Sequence, residues 1–556
     1  MKRFGTDEVD VCIIGSGAGG GPLALTLARA GCSVVILEKG PWYKAEDFTH
    51  DEIAISRRDF FVPYPSAEPH LLSRKQGDPL EPSSLGWTAN CVGGGTVHMS
   101  GYVFRLHPED FALANRYRGI PGHTLADWPI TYQELAPYYD MVEREVGVSG
   151  KAGEYPFEPP RAGPYPFPPL AFNPLAARVD DACKKLGLHP FQTPRAIVSS
   201  AADGRSACVY CNYCGSFGCE VNAKSSTAAS VIPKAIATDH CELRDGCMAY
   251  EIATDKEGRA TAVRYITKTG ERVEQKARVI CVAATAIESA RLLLASKSAA
   301  HPDGLGNKSG LVGKNLSFST LAKVYGALER AALPDAERAD HPIHFLQRSL
   351  QDDYFVKGRK GYDKGGTIVF QLAHRSAVYT AERLARRRTP LLWGEALKRE
   401  IFRAYKDVIE LEAEVFGEFL PNPHTFVALD ASTKDKWGLA VAAIHVDNHP
   451  EDVAVSRVLA DKARAVLEAA GARQLGSEAV GGTTFVLQHG TARFGDDKKT
   501  SVLDRHCKSH EVPNLYVTDG SFMPSSGGVP STLTIMANSF RVGAHLAALR
   551  KNGALR

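Results

Sequence analysis

One stretch near the N-terminus restricts the fold more than any other. Val9-Asp10-Val11-Cys12-Ile13-Ile14 is a mostly apolar run, followed at once by Gly15-Ser16-Gly17-Ala18-Gly19-Gly20. A small-residue helix is expected from Gly21 to Ala30, ending at Gly31, and a second strand, Ser33 to Leu37, delivers Glu38. An apolar strand of this kind suits a parallel sheet covered on both faces. Gly15 permits a tight turn, Gly17 lets the backbone approach a pyrophosphate, and Gly20 lets helix and strand pack closely. The helix N-terminus offers free N–H groups and a positive dipole end to phosphates. Glu38 is placed to accept hydrogen bonds from ribose hydroxyls. Gly15, Gly17, Ala18, Gly20 and Glu38 are therefore candidate contacts of a dinucleotide, and this unit alone does not separate FAD from NAD.

At 556 residues the chain has room for about three domains. Its 66 basic and 63 acidic residues nearly balance, so overall charge marks neither a nucleic-acid nor an anionic-membrane surface. No run of ~18 apolar residues would span a bilayer. Without a secretory signal at the N-terminus, the expected location is cytoplasmic. Of twelve cysteines, eight are scattered and read as buried thiols, whereas Cys208, Cys211, Cys214 and Cys219 lie together. Thiolates at two-residue spacing can wrap one soft metal centre. A structural zinc, disulfides or free thiols are the alternatives.

Further segments resemble the glucose–methanol–choline (GMC) oxidoreductases, in that family's order. Asn90-Cys91-Val92-Gly93-Gly94-Gly95-Thr96-Val97-His98 resembles the glycine-rich stretch over the flavin. Asp127-Trp128-Pro129-Ile130 resembles the linker after the first flavin segment. Arg278 to Ser289 and Val312 to Leu316 are shorter matches. Gly490-Thr491-Ala492-Arg493-Phe494-Gly495, Asn514 to Ser521 and Gly527-Gly528-Val529 complete the series. Spacing and the cysteine-rich insert look most like the flavoprotein subunits of bacterial gluconate, glucose and sugar-alcohol dehydrogenases.

The resemblance implies FAD and an α/β fold, with a Rossmann-like FAD domain interleaved with an α+β substrate domain of sheet and helices. Residues 1–130, 205–320 and 496–556 would form the first, and 131–204 and 321–495 the second. The seven prolines between Tyr155 and Leu170 suit an extended crossing or a disordered linker. A helical pattern is expected from Ala381 to Glu414, broken at Pro390, with Arg386-Arg387-Arg388 on a solvated face. Gly94 and Gly95 would lie against the flavin, and Asp519 and Gly520 against its diphosphate and ribityl chain. Val529 and Thr532 open a helix, Leu533 to Leu549, aimed at the ring. His98 stands where some sugar oxidases of the family bond covalently to flavin; a polar wall or a structural role are the other readings. Thr285 replaces a family glycine. Related glucose dehydrogenase subunits hold a three-iron cluster near the cysteine insert, so an iron–sulfur cluster (3Fe-4S or 4Fe-4S) is expected, although the spacing here differs.

The family uses a His three residues before the Gly-Thr pair, with a His or Asn partner in the following turn. Here those positions hold Leu487 and Pro530, neither of which transfers a proton. His489 becomes the expected base, projecting from an extended Leu487-Gln488-His489 toward the same space, and Ser531 a candidate donor. The implied activity is FAD-dependent oxidation of a sugar, sugar acid or polyol hydroxyl, with electrons leaving through a cluster to a cytochrome c or quinone. A small partner subunit would accompany it and, if exported, place both in the periplasm. An oxidase acting with O₂ on a more apolar alcohol is the alternative, and a decayed flavin-binding protein the non-enzymatic one.

Overall fold

The computed structural model describes residues 4–49, 51, 58–87, 89–171, 173–211, 213–338, 345–372, 377–386 and 390–555. Val9–Ile14 lies inside a seven-stranded sheet, parallel to Val34–Leu37 on one side and to the second half of Arg272–Val282 on the other. Cys241–Arg244 and Leu515–Val517 extend the parallel part. The first half of Arg272–Val282 turns instead to an antiparallel ribbon, Ala260–Ile266 with Met248–Thr254. All six residues of Val9–Ile14 are buried, as a strand covered on both faces requires. The helix Gly21–Arg29 packs on the C-terminal helix Thr532–Lys551, where a Cβ on Gly543 would come within 2.8 Å of the Thr26 side chain. This is the α/β architecture expected.

A second, six-stranded sheet is antiparallel and runs Arg473–Thr483, Thr320–Glu329, Val408–Gly417, Gly366–Leu372, Phe345–Leu350, Phe191–Gln192. Thr320–Glu329 alternates buried with part-exposed residues, the period of a strand with one face on a helix, here Pro450–Ala469. A four-stranded sheet joins Phe426–Lys434 and Ala440–His445 to His70–Ser73 and Glu81–Ser83. It therefore links strands from segments that the family resemblance divides between two domains.

The helical pattern expected from Ala381 to Glu414 is corrected. Helices occupy Ala377–Arg386 and Gly394–Lys406, and Val408–Gly417 is an inner strand. Ile409-Glu410-Leu411-Glu412-Ala413-Glu414-Val415 alternates with a period of two, which is strand spacing. Its acidic residues are accommodated because Arg383 pairs with both Glu410 and Glu412. Arg387 and Arg388 of the expected solvated face lie outside the described residues. Between Tyr155 and Leu170 there is no helix or strand, and the segment is pinned by a Tyr155–Phe191 ring stack at 3.7 Å and by backbone bonds of Phe167.

Candidate active site

A cavity of about 750 Å³ extends from the glycine loop to the start of the C-terminal helix. Gly15, Gly17, Ala18, Glu38, Gly94, Gly95, Asp519, Gly520, Ser531 and Thr532 all lie on its wall. Gly15 has φ 101°, and a Cβ there would meet the Ala283 carbonyl oxygen at 2.3 Å. Gly20 stands off the wall; its Cβ would fall 2.0 Å from the Gly15 carbonyl oxygen, so it serves close packing. Glu38 is buried and accepts hydrogen bonds from Ser16 N, Ser16 Oγ at 2.6 Å and Gly40 N at 2.9 Å. Burial raises its pKa, while those donors oppose the shift. Asp519 accepts from Ser289 and Ser521, and burial raises its pKa too. Thr285, also on the wall, holds φ 77° and ψ 156°, a region that almost only glycine adopts.

The turn before the C-terminal helix is held from behind by buried charges. Glu418 accepts from Ser526 N at 2.6 Å, Ser526 Oγ at 2.8 Å and Gly527 N at 2.6 Å. The Gly527 carbonyl accepts from Lys364 Nζ at 3.1 Å and from the Tyr354 hydroxyl. Lys364 also pairs with Asp110 at 3.2 Å, both fully buried. Burial pushes the Lys364 pKa down and those of Asp110 and Glu418 up. The sequence reading missed this set. Asp363-Lys364-Gly365-Gly366 looks like an exposed turn, and Glu418 and Asp110 become its neighbours only through the sheet.

His489 and Ser531 meet: Nε2 lies 2.7 Å from Oγ, and both residues are buried. Only Ser531 reaches the cavity. The expectation that Leu487 and His489 face one space is corrected, because a turn at Thr484–Leu487, closed by Leu487 N to Thr484 O, breaks the extended run. Leu487 faces the cavity, and His489 sits behind Ser531, its backbone bridged to Ser317. Burial lowers the His489 pKa to about 3, with the Phe318 backbone pulling weakly the other way. Ser531 is the N-cap of Thr532–Lys551 but its hydroxyl does not cap the helix. The first-turn N–H groups thus keep their positive end toward the cavity.

His98 and Val529 are buried and stand off that wall. The His98 ring lies beside Phe61, with centroids 6.1 Å apart. Cys208, Cys211, Cys214 and Cys219 surround a second, smaller cavity together with Lys224 and Arg195. All four are free thiols, with no disulfide among them. Among the described residues no three His, Cys, Asp or Glu side chains converge to hold a metal ion, so the single-zinc alternative is not supported. Burial raises Cys208 to about 12 and Cys211 to about 11.

The GMC oxidoreductase pattern matches residues 168–320 and 421–539. The chain is 31% identical to 2-methyl-1,2-propanediol dehydrogenase of Mycolicibacterium austroafricanum over 97% of its length and 95% of that protein. The chain belongs to the GMC oxidoreductases. A further GMC relative, the gluconate 2-dehydrogenase flavoprotein of Pantoea cypripedii, is 24% identical over 96% of this chain and 92% of that one. Pyridoxine 4-oxidase from Mesorbium loti shares the GMC fold, with a TM-score of 0.62 at 16% identity over 96% and 98% of the two chains. This GMC enzyme is FAD-dependent, and its cavity fits that cofactor. A glycine cradle and helix N-terminus suit the diphosphate, Glu38 a ribose, and a second helix N-terminus the flavin pyrimidine. The volume is also within the ~300–1,000 Å³ usual for such sites.

Proposed function

We propose that this enzyme oxidises a hydroxyl of a sugar, sugar acid or polyol and passes the electrons to an acceptor other than O₂. The observation that carries this reading is the His489–Ser531 pair at the cavity's far end. FAD, when bound, would supply the hydride acceptor, flavin N5. The substrate hydroxyl donates its proton to Ser531 Oγ while Ser531 donates its own to His489 Nε2, and the carbinol hydrogen leaves as hydride to give the carbonyl product. Burial keeps the His489 ring neutral at pH 7, which leaves a ring lone pair for that proton. The same burial makes it a weak base that holds the proton only while the hydride departs. First-turn N–H groups at Thr532 favour negative charge in the cavity. The substrate class follows from the diol and gluconate dehydrogenases among its relatives.

The four-cysteine cavity supports an iron–sulfur cluster as electron exit. The four thiols that line one void would supply its ligands, and Lys224 and Arg195 would balance its negative charge. A small partner subunit and a cytochrome c would then take the electrons on. Mixing the enzyme anaerobically with candidate polyols and sugar acids should bleach the flavin, and Ser531→Ala should slow that bleaching. Dye reduction without peroxide release supports the dehydrogenase, whereas stoichiometric peroxide would favour the oxidase. About three or four irons per chain, with visible absorption persisting after flavin extraction, is the expected cluster result; a metal-free holoenzyme would overturn it.

A further inference from the structure

The helices Ala377–Arg386 and Gly394–Lys406 form an excursion between two strands of the six-stranded sheet, Gly366–Leu372 and Val408–Gly417. Its surface is unlike the rest. Of eight large apolar side chains exposed among the described residues, four belong to it: Val378, Leu391, Trp393 and Phe402. Trp393 is 81% exposed and Phe402 71%. The same stretch, residues 377–406, carries eight lysines and arginines against three glutamates, while the whole chain balances 66 against 63. Near-neutral overall charge therefore conceals a locally basic segment, in which the cations with described side chains are Arg383, Lys398, Arg399, Arg403 and Lys406.

Position sorts these residues. Helix Gly394–Lys406 buries none of its side chains. Lys398, Arg399, Phe402 and Lys406 are exposed and recur at helical spacing, and Trp393 stands at the N-cap. Arg403 pairs with Glu329, and Arg383 with Glu410 and Glu412, so those two cations tie the excursion to the sheet. The Lys398–Glu395 pair at 3.8 Å is about 70% exposed on both sides and holds its charge only weakly. Basic side chains beside Trp, Leu and Phe on a helix face are the composition that settles at a bilayer headgroup layer. A second copy of the same basic face would be repelled, which disfavours a symmetric dimer through this surface.

We propose that this excursion seats the protein on an anionic lipid bilayer. Leu391, Trp393 and Phe402 enter the boundary between headgroups and acyl chains, and Lys398, Arg399 and Lys406 lie against lipid phosphates. No helix of the described residues is long and apolar enough to cross the membrane, so the contact is peripheral. Phe345 pairs with Gln371 at the end of the sheet from which the excursion departs, and Phe345 and Gln347 line the four-cysteine cavity. The lipid-facing patch and that cavity thus share one end of the sheet. The seating does not depend on the reaction catalysed.

The test uses flavin-loaded protein with vesicles of phosphatidylcholine alone or mixed with phosphatidylglycerol. The protein is expected to sediment with the mixed vesicles at low salt, to be released at high salt, and to stay in solution with phosphatidylcholine alone. The Trp393→Ser/Phe402→Ser and Lys398→Glu/Arg399→Glu double variants are each expected to lose binding about tenfold or more. Their flavin spectra should be unchanged, which separates lost binding from misfolding. Absence of sedimentation with mixed vesicles at low salt, or binding by both variants as tight as the wild type's, would overturn the proposal. Light scattering that shows a dimer abolished by Trp393→Ser/Phe402→Ser, without vesicle binding, would assign the patch to self-association instead.

Discussion

The imidazole Nε2 of His489 stands 2.7 Å from the hydroxyl of Ser531, across 42 residues of chain, and only the serine touches the cavity. Proton transfer through this pair makes the two side chains one unit. Ser531→Ala and His489→Gln are each expected to slow anaerobic flavin reduction by about 10²–10³-fold with FAD retained. The double variant should be little slower than either single one. Multiplying losses in the stopped-flow rates would show two independent roles.

The depressed pKa of His489 has a definite sign. In the folded protein the ring stays neutral until pH falls to about 3, whereas in the unfolded chain it takes a proton near pH 6.5. The unfolded state therefore binds more protons over this window, and the stability due to neutral burial is lost as pH falls from about 6.5 toward 3. Thermal midpoints measured from pH 4 to 8 should show a shallower acid arm in His489→Gln. In the wild type, kcat/KM should carry no inflection between pH 6 and 7 that His489→Gln removes.

Lys364, fully buried, balances Asp110 and Glu418 behind the Ser526–Gly527 turn. Lys364→Met should destabilise the fold by about 3–5 kcal/mol, because it leaves buried carboxylates uncompensated. Lys364→Met/Asp110→Asn should recover part of that loss in urea unfolding. Equal destabilisation of single and double variants would mean that packing, not charge, governs the site.

Thr285 holds φ 77°, where a β-branched side chain is strained. Thr285→Gly should raise the unfolding free energy by about 1 kcal/mol, the strain relieved less the added freedom of the unfolded chain. A lowered thermal midpoint would mean that the Thr285 side chain makes compensating contacts.

His98 lies off the cavity wall, beside Phe61. Acid precipitation of the holoenzyme should therefore release the flavin to the supernatant. Flavin absorbance that stays with the pellet would establish a covalent bond.

The cofactor end was legible because its determinants are local. Strand, glycine loop, helix and Glu38 fall within thirty residues, and each has a steric or hydrogen-bonding task that a spacing reveals. The C-terminal helix, expected from Leu533 to Leu549, runs Thr532–Lys551. The strand Val408–Gly417 was legible in principle, since its Glu residues alternate with Ile409, Leu411 and Ala413, yet the helices before it drew the pattern on too far. The basic, apolar character of the excursion does not show in the overall charge, which averages over the chain.

For the catalytic end, the chain order shows only that Leu487 and Pro530 cannot move a proton, that His489 stands two residues from the first and that Ser531 follows the second. Whether those two meet depends on a turn at Thr484–Leu487 and on where the C-terminal helix begins, both set by packing between distant segments. The same holds for Glu418, Lys364 and Asp110, brought to one turn from three parts of the chain. Cofactor binding follows from spacings within one supersecondary unit, and the amino-acid sequence carries those directly. Proton handling follows from angstrom-scale contacts between residues far apart along the chain, and only the packed fold creates them.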